Sequence, residues 1–125
     1  MAKQTKLAVW GGSAIATPEL VEALRQALQP GEAMEVVLVG RTAEKLRRVG
    51  ELCCKLAATS QGNLCVSYTT DMEAALDGAD YILSQVRVGG LQGRAFDESF
   101  PRALGLPGEE TVGPGGFSSA LRTIP

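Results

Sequence analysis

The stretch from Leu7 to Leu20, LAVWGGSAIATPEL, joins an apolar run to a helical period through two glycines. Residues of this type at such a join can hold a pyrophosphate. A glycine lets the backbone approach the phosphate, and unpaired N–H groups at a helix N-terminus face its charge. Gly11, Gly12 and Ser13 are the candidates. The spaced fingerprint G-x-G-x-x-G would fall on Trp10, Gly12 and Ile15, so one of its three positions is met. Two readings stand: a dinucleotide cradle, and a plain tight turn between strand and helix.

The tip of the second apolar run reads Val39-Gly40-Arg41-Thr42. A dinucleotide-binding chain often carries a carboxylate here for the ribose 2′-hydroxyl. None is present. Arg41 beside a small residue suits a 2′-phosphate, so NADP is possible beside NAD, and a solvated arginine at a helix start fits the same residues equally. Arg87 follows the fourth apolar run, at the carboxyl end of a strand, where ligands sit in open α/β sheets. Arg94 has Asp97 and Glu98 at i+3 and i+4, the spacing of a helical ion pair. The chain has no histidine, which removes the commonest general base and transition-metal ligand. Its three cysteines, Cys53, Cys54 and Cys65, show no C-x-x-C spacing and read as reduced apolar fillers.

These candidates need elements to hold them, and the hydrophobic pattern supplies an alternating series. KLAVW reads as a buried strand. Thr17 offers an N-cap, Pro18 suits the first helical position, and Leu20, Leu24, Ala27 and Leu28 share a face. MEVVLVG is a second strand. Thr42 caps a helix with Leu46, Val49, Cys53 and Leu56 at helical spacing, ended by QGN. LCVSYT is a third strand, Asp71 caps the short helix MEAAL, which Asp77-Gly78 closes, and DYILSQ is a fourth strand. Strands separated by helices run parallel with right-handed crossovers. The pattern predicts an α/β, Rossmann-like doubly wound sheet with strand order 3-2-1-4. Beyond it, a helix carries Phe96, Phe100 and Leu104 on one stripe, and Pro101 predicts a kink or restart. LPGEETVGPGG reads as a loop, and FSSALRTIP begins a last helix.

The 125 residues suffice for one domain with a hydrophobic core. A net charge of −2 without a basic cluster argues against nucleic acid and anionic membrane as partners. No apolar run approaches the roughly 20 residues of a membrane span, and the N-terminal run is too short for a signal peptide. A cytoplasmic location is the expectation.

Three segments stand out, GGSAIATPELVEAL, DGADYILSQVRVGGLQGRAFDE and GEETVGPGGFSSALRTIP, the last two long and unusual. In them the sequence resembles the N-terminal part of the NAD- and metal-dependent glycoside hydrolases of family 4, and most the 6-phospho-β-glucosidases, the branch that RVGG favours. The resemblance implies a route outside the usual two-carboxylate scheme. NAD⁺ takes a hydride from C3 of the sugar, the ketone acidifies the C2 proton, and a tyrosine base removes it. The aglycone then leaves, water adds and the hydride returns, with a divalent metal, usually manganese, polarising the oxidised sugar. The resemblance assigns Gly11, Gly12 and Ser13 to the phosphate turn, Arg94 to the substrate, and Glu110 to tuning the tyrosine. Arg87, by its place at the end of the fourth strand, is expected to face cofactor or substrate. Trp10 replaces the family's first glycine, and Gly40 stands where many members have Asp.

The family's metal-binding cysteine and histidine and its base tyrosine lie beyond position 125. Cys53, Cys54, Cys65, Tyr68 and Tyr81 do not match them. The expectation is therefore that residues 1–125 are the NAD-binding domain of a larger enzyme, one that is a homo-oligomer acting on a phosphorylated disaccharide or glucoside. Alone they are expected to be inactive, with apolar surface exposed where a second domain would dock. Two other readings remain: a stand-alone or degenerate nucleotide-binding module, and a Rossmann-type dehydrogenase of another substrate class.

Overall fold

The structure, a computed structural model, describes residues 4–60 and 63–124. The chain forms two units, Met1–Val86 and Arg87–Pro125. In the first, strands β1 (Thr5–Trp10), β2 (Met34–Val39), β3 (Leu64–Thr69) and β4 (Tyr81–Ser84) alternate with helices α1 (Thr17–Ala27), α2 (Ala43–Ala57) and α3 (Met72–Leu76). Every strand pairing is parallel and the order is β3-β2-β1-β4, as the alternation predicts.

The register sets Leu7 opposite Val36 and Tyr81, and Val36 opposite Val66. Successive side chains point to opposite faces of a sheet. Val9, Val36, Leu38 and Val66 accordingly pack on one face with Val21 of α1 and Leu46, Cys53 and Ala57 of α2. Val37 and Val39 pack on the other with Ala75 of α3. Each such fully buried Val or Leu contributes about 1.5–3 kcal/mol. This two-sided burial holds the carboxyl ends of β1 and β2 side by side.

The helix starts differ in detail from their sequence signals. Thr17 is the first residue of α1 rather than its cap. The cap is Ala16, without a side-chain bond. Thr17 is fully buried, and its hydroxyl accepts a hydrogen bond from Gln85 instead. The buried face of α1 therefore runs through Thr17 and Val21, and Ala27 is exposed. Thr42 does cap α2, but through its position alone, with no side-chain bond. Asp71 caps α3 by accepting from the Ala74 N–H at 3.1 Å. Gln61 and Gly62, in the expected stop after α2, lie outside the described residues.

The second unit holds α4 (Gly90–Ala103) and α5 (Gly113–Thr123). Helix α4 continues through Pro101 instead of restarting there. Proline has no N–H, so the Asp97 carbonyl loses its usual helical donor. Gly115 of α5 lies against that carbonyl: a Cβ at position 115 would sit 2.6 Å from the oxygen. Helix α5 begins at Gly113, inside the stretch expected to be a loop. Pro114 falls in its first turn, where a missing N–H costs nothing. Phe96 and Phe100 stack with centroids 5.2 Å apart, as their stripe implies, but Phe96 and Leu104 are exposed.

Candidate functional site

The glycine turn leaves β1 at Trp10 and enters α1 at Thr17. Gly11 has φ +89°, a conformation that favours glycine. Its neighbour is the Gln85 backbone, 3.0 Å from where a Cβ would stand. Gly12 packs on β2, where a Cβ would lie 2.6 Å from the Leu38 Cβ and 2.9 Å from its Cα. The N–H groups of both glycines donate to the Val39 carbonyl, at 3.0 and 2.9 Å. They tie the turn to the sheet and are not open donors. The N–H groups of Ser13, Ile15 and Ala16 donate to no described residue. With the Ser13 hydroxyl they make a donor set at the N-terminus of α1, and such a set fits a phosphate.

Gln85 is the residue of this site that the sequence did not single out. Its N–H donates to the Trp10 carbonyl at 2.9 Å. Its side-chain amide donates to the Gly11 carbonyl at 3.2 Å and to the Thr17 hydroxyl at 2.7 Å. One side chain thus fastens both ends of the turn. A polar residue closing the apolar run YILS was the available signal.

The tip of β2 lies beside the turn. A Cβ on Gly40 would be 3.6 Å from the Ser13 Oγ and 3.6 Å from Leu46, ordinary contact distances. Arg41 follows and is exposed. The first unit therefore brings Ser13, Gly40 and Arg41 to the carboxyl ends of adjacent strands.

The second unit carries an ionic cluster. Glu110 pairs with Arg87 through one carboxylate oxygen and with Arg94 at 3.3 Å through the other. Arg94 also donates to Glu98 at 2.6 Å, so of the two carboxylates at helical spacing it takes the i+4 partner. Glu98 first and Glu110 next raise the Arg94 pKa above its ordinary value. Asp97 pairs elsewhere, with Arg122. Three residues expected in the site, Arg87, Arg94 and Glu110, are thus neighbours. The two guanidinium groups are partly exposed and present a fork geometry suited to a phosphate or carboxylate.

Among the described residues no three His, Cys, Asp or Glu side chains gather as a metal site. Cys54 donates to the Val66 carbonyl at 3.1 Å, and burial pushes the Cys53 thiol up to about 11. No helix among the described residues is long and apolar enough to cross a membrane.

A parallel sheet in this order, with a glycine turn after its first strand, defines a Rossmann-like α/β protein. The sequence model described as Family 4 glycosyl hydrolase matches residues 6–125. The chain belongs to family 4 of the glycosyl hydrolases. It is 39% identical over 127 aligned residues to the Probable 6-phospho-beta-glucosidase of Bacillus subtilis, covering 100% of this chain and 29% of that protein. A 6-phospho-beta glucosidase from Thermotoga maritima, solved with manganese, NAD⁺ and glucose-6-phosphate, matches with TM-score 0.83 and 36% identity over 97% of this chain and 29% of that one. A 6-phospho-alpha-glucosidase from gut microorganisms, in complex with NAD and Mn²⁺, matches with TM-score 0.81 and 34% identity over 97% of this chain and 28% of its own. The chain thus spans less than a third of the length of these relatives.

Proposed function

We propose that residues 1–125 are the N-terminal NAD-binding region of a cytoplasmic 6-phospho-β-glucosidase. The observation that carries this reading is the turn from Gly11 to Ala16. Its three open N–H groups and the Ser13 hydroxyl lie at the head of α1, in a family with solved members that hold NAD. In this reading the turn binds the pyrophosphate. Gln85 keeps the turn in shape, and Arg41, which follows the tip of β2, suits a ribose 2′-phosphate, which leaves NADP open. A dinucleotide held there would supply the acceptor for a hydride from C3 of the sugar. Arg87 and Arg94 bind and orient the phosphorylated sugar, and Glu110 holds the two guanidinium groups at a fixed spacing.

The substrate class is a 6-phospho-β-glucoside or phosphorylated disaccharide. The RVGG segment supports the β over the α branch, and the structural likeness is of similar strength for both. Manganese would be bound by residues outside this chain, because the cysteines present here lie in helix and strand positions and no histidine occurs. The full-length enzyme would be a homo-oligomer.

Protein purified from its own cells decides the matter. NAD⁺- and Mn²⁺-dependent release of glucose 6-phosphate from a 6-phospho-β-glucoside, by a species heavier than 13.1 kDa, is the expected result. A species of 13.1 kDa with no hydrolysis would favour the second reading, a nucleotide-binding module without catalysis. That reading draws on Trp10 and on the Gly11 and Gly12 N–H groups already spent on Val39.

A further inference from the structure

Gly89, Gly93 and Asp97 are spaced by four and share one face of the first turns of α4. The side chain of Arg122, from the last turn of α5, lies along that face. Its Nε donates to the Val88 carbonyl at 2.9 Å. Its two terminal nitrogens donate to the two Asp97 oxygens at 3.1 and 2.5 Å. A Cβ on Gly89 would stand 2.7 Å from the Arg122 Nε, and one on Gly93 would stand 3.0 Å from its Cζ. Gly89 also has φ +85°. The glycines of RVGGLQG therefore make a slot for a guanidinium. Both groups that the guanidinium grips adjoin the anion cluster in the chain. Val88 follows Arg87, and Asp97 precedes Glu98, which accepts a hydrogen bond from Arg94.

We infer that Arg122 is a positioning residue for the Arg87–Arg94–Glu110 cluster. The inference rests on the reading of that cluster as the phosphosugar site. Arg122 does not take the ligand itself, because its fork is occupied by Asp97 and its Nε by Val88. Asp97 is 1% exposed, and a carboxylate so buried is costly unless paired. Apolar side chains often replace a buried ion pair without loss of stability. A directional grip is what they cannot supply. Only a fork that reaches Asp97 and Val88 at once fixes the turn after Arg87 relative to the helix that carries Arg94.

The test separates grip from stability. Glucose 6-phosphate and inorganic phosphate are titrated by calorimetry into the wild-type chain, R122K, G93A and the apolar double variant D97L/R122M. Thermal unfolding is followed in parallel. The expected result is that all three variants bind glucose 6-phosphate roughly tenfold or more weakly, as when the support of a contacting group is lost. D97L/R122M does so at near wild-type stability, and adding G93A to R122K costs little more, because both act through one contact. R122K keeps the charge but not the fork, and it carries the test if the double variant fails to fold. Wild-type affinity in folded R122K or D97L/R122M overturns the inference and leaves the phosphosugar site standing. Absence of binding to the wild-type chain by either ligand overturns the site and the inference together.

Discussion

Leu38 leaves no room for a side chain at position 12. The nearest atoms to a Cβ there are the Leu38 Cβ and Cα, and the second belongs to a central strand that cannot give way cheaply. Gly12→Ala is expected to destabilise the chain by about 1–3 kcal/mol in urea unfolding. Gly40→Ala, with its nearest contact at 3.6 Å, should change stability by less than about 0.5 kcal/mol. Equal effects at the two positions would contradict the packing described. The cysteines give a second residue-scale expectation. The thiolate is the reactive form. Cys53 is buried with its thiol raised to about 11, and Cys65 is exposed. Alkylation at neutral pH should modify Cys65 first and Cys53 only on unfolding, as peptide mass mapping would show. Early labelling of Cys53 would mean that α2 does not cover it.

At the scale of elements, α4 and α5 are joined through Asp97 and Arg122. The Arg122 hydrogen bond holds the Asp97 carboxyl below its ordinary value of 3.8, against the opposing push of burial. A carboxyl lowered in the folded state contributes stability above its unfolded value. That contribution is lost as pH falls through the folded one. The stability gap between wild type and Asp97→Asn should therefore be widest at neutral pH and narrow below about pH 4. Urea unfolding at several pH values measures it, and a gap that stays constant through that range would exclude the ionised pair as its source.

The strands and most helices were legible because their periods are local: MEVVLV and LCVSYT form strands within a residue of their apolar runs. What was not legible depends on partners far along the chain. Thr17 looks like a cap until Gln85, 68 residues away, claims its hydroxyl. Asp97 looks like a partner for Arg94 until Arg122, 25 residues away, takes it. The start of α5 is not legible because proline and glycine mark a loop and a helix N-terminus alike. In the candidate site, the turn and the arginines were visible as residue types. The donors the turn has left, and the Glu110 bridge, follow from backbone geometry that no local pattern encodes.

For the whole molecule, the chain spans under a third of its relatives' length, and among the described residues no three His, Cys, Asp or Glu side chains gather as a metal site. The 125 residues alone, given NAD⁺ and Mn²⁺, should release no glucose 6-phosphate from a 6-phospho-β-glucoside. Turnover by this chain would contradict the division of labour proposed. Tyr81 and Ile82 of β4 are exposed. An edge strand of this kind pairs readily with other chains.

In the proposed function the turn at the head of α1 binds a dinucleotide. Trp10, the single tryptophan, ends β1 at that turn and is 42% exposed, so its emission reports on the site. The measurement is a titration of the chain with NAD⁺, and with NADP⁺ beside it, followed by Trp10 fluorescence and repeated by calorimetry. A saturable change with matching heat, for at least one of the two, is the result predicted. No saturable signal from either dinucleotide by either method would contradict it.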